Sequence, residues 1–265
     1  MPPVYALPDL HGRLDLLEAA LRTFPKAHFV VLGDVIDRGP HSLACVRLLL
    51  ELRAAGRVTL LWGNHEDMAA GALMHYAASN GGRDLAAYRA ALEHFGWWMD
   101  QGGRALRREY GNFGVENYPP ELVEYLSLLR LAVYVDGEGN VLDQPPSSPS
   151  VLACHAAPPV PSAAYANPQT TALWARPHEG PFPLPPFVAW SVHGHTPVRA
   201  PSRLGGQVYT DLGAVRTGKL CLTKLAPTLP PEIVVLQGPR AERSGSRLPA
   251  FGEALPYRVL DVSRA

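Results

Sequence analysis

The stretch Gly33-Asp34-Val35-Ile36-Asp37-Arg38-Gly39 decides how the rest of the 265-residue chain is read. It follows the apolar run Phe29-Val30-Val31-Leu32 and leads into a helical pattern that starts near His41. That order is strand, tight turn, helix, with two carboxylates and a guanidinium on the turn. In open α/β sheets ligands bind just outside the carboxyl ends of the strands, so this turn stands where chemistry is expected. Two turns of the same kind flank it. Asp9-Leu10-His11-Gly12 closes Val4-Tyr5-Ala6-Leu7, and Gly63-Asn64-His65-Glu66 closes Val58-Thr59-Leu60-Leu61. Asp34 follows Asp9 by 25 residues and Asn64 follows Asp34 by 30. A strand–helix–strand unit takes roughly 30 residues, so the three turns are expected on one sheet edge.

Composition narrows the class. Hydrophobic residues make up 47% and charged residues 18%, which reads as globular, and the length is ample for a sizeable core. Lys+Arg and Asp+Glu both count 24, so the charge balance gives no sign of a nucleic acid or an anionic membrane as partner. Cys45, Cys154 and Cys221 are few, odd in number and far apart, which argues against a disulfide framework and fits a reducing cytosol. The N-terminus enters a strand almost at once, without a basic leader, and no segment approaches the ~20 apolar residues of a membrane helix. The expectation is a cytoplasmic protein.

Residues 4–67 read as repeated βα units. Leu14, Leu17, Leu21 and Phe24 mark one helix face, and Leu43, Val46, Leu49, Leu50 and Arg53 mark a second, less clean one. Right-handed crossovers make their strands parallel. From 68 to 129 the pattern turns helical, a helical insertion beside the sheet: Met68–Tyr76, Asp84–Asp100 and Pro120–Leu129, the last opened by Pro119-Pro120-Glu121. Asn80-Gly81-Gly82 and Gly102-Gly103 break this run. Strands return at Leu131–Val135, at Val141-Leu142 after the turn 136–140, and at Val151–Cys154, which ends on His155. Pro145–Pro149 is a loop. The proline-dense segment 156–187 has no room for long regular elements and reads as an ordered active-site loop. Val188–Val192 is a strand ending in His193-Gly194-His195. Val208-Tyr209, Leu220–Leu225 and Ile233–Leu236 follow as strands, the last of them closing the core. Residues 238–250 read as a mobile linker, and Tyr257–Val262 as an edge strand. The expected organisation is one catalytic domain over 1–237 and a C-terminal extension over 238–265.

The polar residues at strand ends are Asp9, His11, Asp34, Asp37, Arg38, Asn64, His65, His155, His193 and His195. Carboxylate, amide and imidazole without thiolate form a ligand set for Mn, Fe or Zn rather than for an iron–sulfur cluster. A metal pair roughly 3.5–4 Å apart needs a bridging carboxylate with hard oxygen and imidazole ligands around it. Taken singly, a strand-end histidine is an ordinary polar residue and Gly-Asp before a helix is a turn with an N-cap. Five such turns, each carrying ligand-type groups at the same kind of position, are not explained as caps.

On these motifs the chain resembles the PPP-type metallophosphatases, in particular the bacterial and phage-type serine/threonine protein phosphatases. Their pattern is Gly-Asp-x-His-Gly, Gly-Asp-x-x-Asp-Arg-Gly, Gly-Asn-His-Glu, a strand-end His and a Gly-His. Here it stands as Pro8-Asp9-Leu10-His11-Gly12, Gly33–Gly39, Gly63–Glu66, Cys154-His155-Ala156 and Val192-His193-Gly194-His195-Thr196-Pro197-Val198, from about Val4 to Thr217. Gly102-Gly103 after Trp97-Trp98 and Leu173-Trp174-Ala175-Arg176-Pro177 also look family-like. The resemblance implies a calcineurin-like, four-layer α/β/β/α sandwich of two mixed sheets. It implies two divalent metal ions, Mn²⁺ foremost, with Fe, Zn, Ni and Co as other occupants. Asp9, His11 and His195 would hold the first metal, Asp34 would bridge both, and Asn64 and His155 would complete the second, with a hydroxide between them. His65 would be the general acid, oriented by Asp37. Arg38 and Arg176 would hold the phosphoryl oxygens, a task suited to a forked guanidinium, with Asn64 beside the substrate. His193 is left open between ligand and outer support.

The activity so implied is hydrolysis of phosphate monoesters on protein Ser or Thr, or on a small phosphoester, by in-line attack, in a monomer or small homo-oligomer. The rival on the same fold is dinucleoside polyphosphate hydrolysis. That branch tends to lack the acidic residue of Asp-Arg-Gly and to read Gly-Asn-His-Asp, so Asp37 and Glu66 lean the chain toward the protein phosphatases. A third reading, a non-catalytic metal-binding protein, is opposed by the retention of every proposed ligand, acid and phosphate-binding arginine. Two positions depart from the pattern: Pro8 replaces the first glycine, and Ala156 follows His155 where the family often has Gly. The 238–265 tail has no counterpart. Trp97-Trp98 reads as core before groove, and Arg240, Arg243 and Arg247 as a solvated tail before a docking site for an acidic partner. Cys154 is expected buried, since neighbouring strand residues face opposite ways and His155 takes the open side.

Overall fold

Three parallel strands carry the three motif turns: β1 (Val4–Leu7), β2 (His28–Val31) and β3 (Val58–Leu60). The computed structural model, which describes residues 1–240 and 248–263, buries nearly every residue of these strands, as expected where a parallel sheet is covered on both faces. The crossovers are α1 (Leu14–Thr23) and α2 (Ser42–Ala54). Because β1, β2 and β3 pair parallel, their carboxyl ends open on a common edge.

Past β3 comes the helical insertion. Helix α3 (Asn64–Ala78) begins at Asn64, four residues before the expected start, so the third motif is not a turn ahead of a helix but the helix's own first turn. The reason is local: the Glu66 carboxylate folds back onto the Gly63 N–H at 3.1 Å and closes the helix entrance. Asp84 caps α4 (Leu85–Trp98) by accepting from the Ala86 and Ala87 N–H groups. A π-turn over Met99–Gly103 follows, with Gly102 at φ 132°. The Gly102-Gly103 pair then leads directly into α5 (Arg104–Tyr110), a helix not expected from the sequence. Helix α6 (Pro120–Ser127) starts at its proline as expected and ends two residues short of Leu129.

The later strands are β4 (Ala132–Asp136), β5 (Val141–Leu142), β6 (Ser150–Cys154), β7 (Val188–His193), β8 (Ser202–Leu204), β9 (Gln207–Tyr209), β10 (Lys219–Lys224), β11 (Ile233–Gln237), β12 (Glu253–Ala254) and β13 (Arg258–Asp261). The first sheet runs β13-β11-β10-β1-β2-β3 and the second β12-β8-β9-β7-β6-β4-β5. Both are mixed: β10 is antiparallel to β1, and β6, β7 and β9 are parallel in a sheet that β4 enters antiparallel. Strands β8 and β12 had no alternating pattern to find, being three and two residues long. Beyond residue 237 the chain supplies β13 to the edge of the first sheet and β12 to the edge of the second. Within 238–250, residues 241–247 lie outside the described residues, and Arg243 and Arg247 with them; Arg240 is exposed.

The sheets pack face to face. Ala6, Val30, Leu32 and Val235 of the first meet Val151, Trp190, Val192 and Val208 of the second in one buried cluster. On the other face of the first sheet, Leu7, Phe29, Val31 and Leu222 join the apolar sides of α1 to α6. The proline-rich segment holds only α7 (Pro168–Trp174), capped by Asn167, and a 3₁₀ turn, Pro177–Glu179. A last short helix, α8 (Ala214–Thr217), precedes β10. Among the described residues no helix is long and apolar enough to cross a membrane.

Candidate metal centre and active-site cleft

The strand-end turns are held in a backbone conformation that side chains rarely adopt. Among the described residues eight non-glycines have positive φ, and five of them are His11 (45°), Asp34 (49°), Asp37 (74°), Arg38 (65°) and His195 (61°). Each such residue costs of the order of 1–3 kcal/mol, so the surroundings must enforce it. Between the first two turns, His11 N–H donates to the Asp34 carbonyl at 2.9 Å and Gly12 N–H to the Val35 carbonyl at 2.8 Å. Between the second and third, the fully buried Glu66 carboxylate accepts the N–H groups of Asp34 (2.8 Å), Val35 (3.0 Å) and Gly63 (3.1 Å). Gly63 has to be glycine here, because a Cβ would strike Asp34 N and Oδ1. Glu66→Ala strands these donors in the core, each at about 1–3 kcal/mol. We expect it to lower the unfolding free energy by about 3–5 kcal/mol in urea titrations, the cost of breaking a buried charged contact. An unchanged urea midpoint would show that the turns hold themselves.

Three imidazoles are anchored on carbonyls. His11 Nδ1 meets the Ile36 carbonyl at 2.8 Å, His155 Nδ1 the Leu32 carbonyl at 2.7 Å, and His195 Nε2 the Trp174 carbonyl at 3.2 Å. A carbonyl only accepts, so each ring places its proton there and turns the lone pair of its other nitrogen inward. Those lone pairs converge. His11 Nε2 lies 3.6 Å from Asp34 Oδ2, and His155 Nε2 lies 3.5 Å from Asp34 Oδ1. His155 Nε2 and His195 Nδ1 lie 3.0 and 2.9 Å from Asn64 Oδ1. Two buried groups with the spacing of metal ligands result, His11–Asp34–His65 and Asp34–His155–His195, with Asp34 common to both.

The electrostatics ask for a cation. Burial, and after it the Arg38 guanidinium, holds the His11 pKa well below the usual histidine range, and burial does the same for His195, so both rings are neutral. Burial, followed by the Glu66 carboxylate, raises Asp34 well above the carboxylate range, and burial followed by Asp211 raises Asp9. A buried carboxylate that faces imidazole lone pairs is unfavourable unless positive charge joins it. The donor set of nitrogen and oxygen without sulfur fits a divalent first-row ion.

His195 groups with His155 and Asn64, and not with His11 and Asp9 as the resemblance implied. The cause is Gly194-His195, where the chain leaves β7 in a left-handed turn and carries the ring toward Trp174. Asp9 borders the groups through its Oδ1, which accepts the His195 N–H at 2.9 Å. His193 goes elsewhere. It is the last residue of β7, so the alternation that would have put it beside His195 stops there. Its Nε2 meets Ser191 Oγ at 2.7 Å and its Nδ1 faces Cys154 Sγ at 3.6 Å. Cys154 is buried, as the pleat requires.

The fourth imidazole is anchored differently. His65 Nδ1 meets a carboxylate, Asp37 Oδ2, at 2.6 Å, while its Nε2 is buried without a hydrogen-bond partner. Trp98 Nε1 donates to the same Asp37 oxygen at 2.7 Å, and burial pushes Asp37 up to about 8. Trp98 is core, as expected, and also the support of Asp37. Trp97 is 40% exposed and stacks on Trp174 at 5.8 Å. Trp174 in turn donates its indole N–H to Asp67 at 3.0 Å. Sequence reasoning assigned no role to Glu66, Trp98, Trp174 or Asp211 at the site. Only Glu66 had a local signal, an acid at the third position of a helix; the others come from remote elements.

The sequence profile of the calcineurin-like phosphoesterases matches residues 2–211. The chain belongs to this family. It is 33% identical over 134 residues to a protein phosphatase 2A catalytic subunit of Dictyostelium discoideum, covering 49% of this chain and 35% of that protein. It is 34% identical over 131 residues to the serine/threonine-protein phosphatase 4 catalytic subunit of Candida glabrata, covering 48% and 34%. The chain thus spans about a third of the length of these curated relatives. Among solved structures, a candidate diadenosine tetraphosphatase aligns with a TM-score of 0.53 at 19% identity, over 89% of this chain and 95% of that one. A serine/threonine phosphatase from Saccharomyces cerevisiae, similar to human phosphatase PP5, aligns with a TM-score of 0.51 at 15% identity, over 83% and 72%. At these identities the structures show the shared fold.

In this calcineurin-like phosphoesterase a cleft of about 920 Å³ opens over the cluster, with His11, Arg38, Arg176 and His195 at its floor. Arg38 Nη1 donates to His11 Nε2 at 2.6 Å. Arg176 reaches across from the proline-rich segment, and its Nη1 donates to the His195 carbonyl and to Thr196 Oγ1, both at 3.2 Å. The two guanidiniums, 138 positions apart in sequence, therefore enter one cleft.

Proposed function

We propose that this phosphoesterase hydrolyses phosphate monoesters on serine and threonine of proteins, with two divalent cations, Mn²⁺ foremost, held at Asp34. The observation that carries the reading is the contrast in anchoring: three imidazoles sit on carbonyls and offer lone pairs, while His65 sits on a carboxylate. His11 and Asp34 Oδ2, with Asp9 beside them, would hold one ion. Asp34 Oδ1, Asn64, His155 and His195 would hold the other. Bound there, the ions supply Lewis-acid charge at the phosphoryl group and an activated water.

The chain's own residues do the rest. Arg38 and Arg176 bind phosphoryl oxygens from the cleft floor, where paired N–H donors match that geometry. The Asp37 carboxyl, which burial pushes up to about 8, fixes the His65 ring through Nδ1 and gives that nitrogen its proton, so that Nε2 holds the proton that goes to the leaving oxygen. That proton passes to the serine or threonine oxygen as its bond to phosphorus breaks, and the side chain departs as a neutral hydroxyl. The curated relatives' names, protein phosphatase 2A and 4 catalytic subunits, support a phosphoprotein substrate.

The test is a comparison of kcat/KM on phosphoserine and phosphothreonine peptides with that on dinucleoside polyphosphates, using protein reconstituted with Mn²⁺. A preference for the phosphopeptides of at least about tenfold is expected, since the leaving-group chemistry served by His65 differs between them. The reverse order would make this a dinucleoside polyphosphate hydrolase. Metal-loaded protein inert toward all phosphoesters would support a binding protein instead.

A further inference from the structure

The cleft is larger than a phosphoryl group needs. At about 920 Å³ it is as roomy as pockets that take whole drug-sized ligands, roughly 300–1,000 Å³. Its lining extends beyond the cluster to the face of α5 carrying Ala105, Arg108 and Glu109, which forms one wall, and to the segment from Asp211 to Arg216. The charges on the α5 wall are not equivalent. Both Glu109 oxygens are engaged at the first turn of α2, accepting the N–H groups of Leu43 at 2.8 Å and Ala44 at 3.0 Å. Arg108, one residue earlier, is exposed and lines the cleft, and it makes no hydrogen bond or ion pair among the described residues. The floor arginines, which bond to His11 and to His195 and Thr196, are taken by the phosphoryl group in the reading above. The α5 wall therefore offers an unpaired guanidinium in the same cleft that would hold the phosphate of a peptide.

We propose that Arg108 is a specificity-determining residue, binding a second anionic group that the peptide carries near its phosphorylated serine or threonine. The inference rests on the phosphoprotein reading above and narrows it to peptides with an acidic neighbour. A carboxylate and a second phosphate share the chemistry that a guanidinium recognises, and both engage it through paired N–H donors. Because Arg108 is solvent-exposed, its effect belongs in KM and weakens as salt screens it.

The test uses phosphoserine peptides with one Asp placed one to four residues to either side, each paired with its Asn counterpart, and a parallel set with a second phosphoserine. For at least one placement wild-type kcat/KM is expected to favour Asp over Asn by about three- to fivefold, the upper range of one exposed ion pair. A larger preference for the second phosphoserine would identify phosphate as the natural group. Arg108→Gln brings the Asp/Asn ratio to about one, Arg108→Glu inverts it, and Arg108→Lys retains part of it. The ratio is its own reference, so a general loss of fold or metal in a variant cancels. A wild-type ratio of one at every placement, or a ratio that Arg108→Gln leaves intact, overturns the proposal while the phosphoprotein reading stands. Hydrolysis of aryl phosphates or dinucleoside polyphosphates with no phosphopeptide turnover overturns that reading first, and the proposal with it.

Discussion

Replacing His65 by asparagine is expected to cut kcat for phosphoserine peptides by about 10²–10⁴-fold, the usual contribution of a general acid. The loss on p-nitrophenyl phosphate should be far smaller, with both metals still bound. A serine alkoxide is a poor leaving group and needs its proton as the bond breaks; a nitrophenolate is stable without one. The structure places the His65 Nε2 in the buried cluster with no hydrogen-bond partner, and its Nδ1 against Asp37. Asparagine keeps a polar side chain at this helix position but cannot deliver a proton. Steady-state kinetics on the two substrates, with metal content measured on the same preparations, decide the matter. Equal losses on both substrates would reject His65 as proton donor and make it a residue that positions its neighbours.

The second large effect is expected at Asp34, whose two oxygens face different histidines. Asp34→Asn should reduce turnover to background and lower the metal content below that of the wild type. Its consequence for stability divides in two. Without metal the buried carboxylate is a liability, since burial and Glu66 both disfavour its charge. The amide removes that charge, and its oxygen can still accept the His65 N–H that Asp34 Oδ1 accepts at 3.0 Å. Metal-free Asp34→Asn should therefore melt at or above the wild-type temperature. With Mn²⁺ the order reverses. Wild-type protein gains RT ln(1 + [L]/Kd) per site, about 2.7 kcal/mol at a metal concentration 100 times Kd, and the variant loses most of this. Thermal unfolding of both proteins in chelator and in Mn²⁺ measures all four states. A full Mn²⁺-induced shift in Asp34→Asn would reject Asp34 as the shared ligand.

The parts of this protein written in its sequence are those in which one short stretch contains both the instruction and its outcome. Phe29 to Gly39 reads as strand and turn because apolar residues stop where carboxylates begin, and β2 ends at Val31 as that change of character requires. The same holds for β1 and β3, for the proline that opens α6, and for the strand that ends at His155. Strand ends in a parallel sheet meet at one edge whatever the helices between them do. That is why the sequence alone gathers Asp9, His11, Asp34 and Asn64; His155 ends β6 in the second sheet and meets them only through the packing of the two sheets. Tertiary structure alone decided what depends on elements far apart in the chain. Glu66 came to brace the second turn as well as the start of its own helix because the two turns lie side by side at the sheet edge. Trp98 became the support of Asp37, 61 positions away, because the insertion folds back over the second turn. His195 joined His155 because a left-handed residue after Gly194 swings the ring out of its strand, and His193 stayed behind on Ser191. Period and propensity act within a turn or a strand, whereas each of these contacts is set by how two sheets and a helical insertion close on one another.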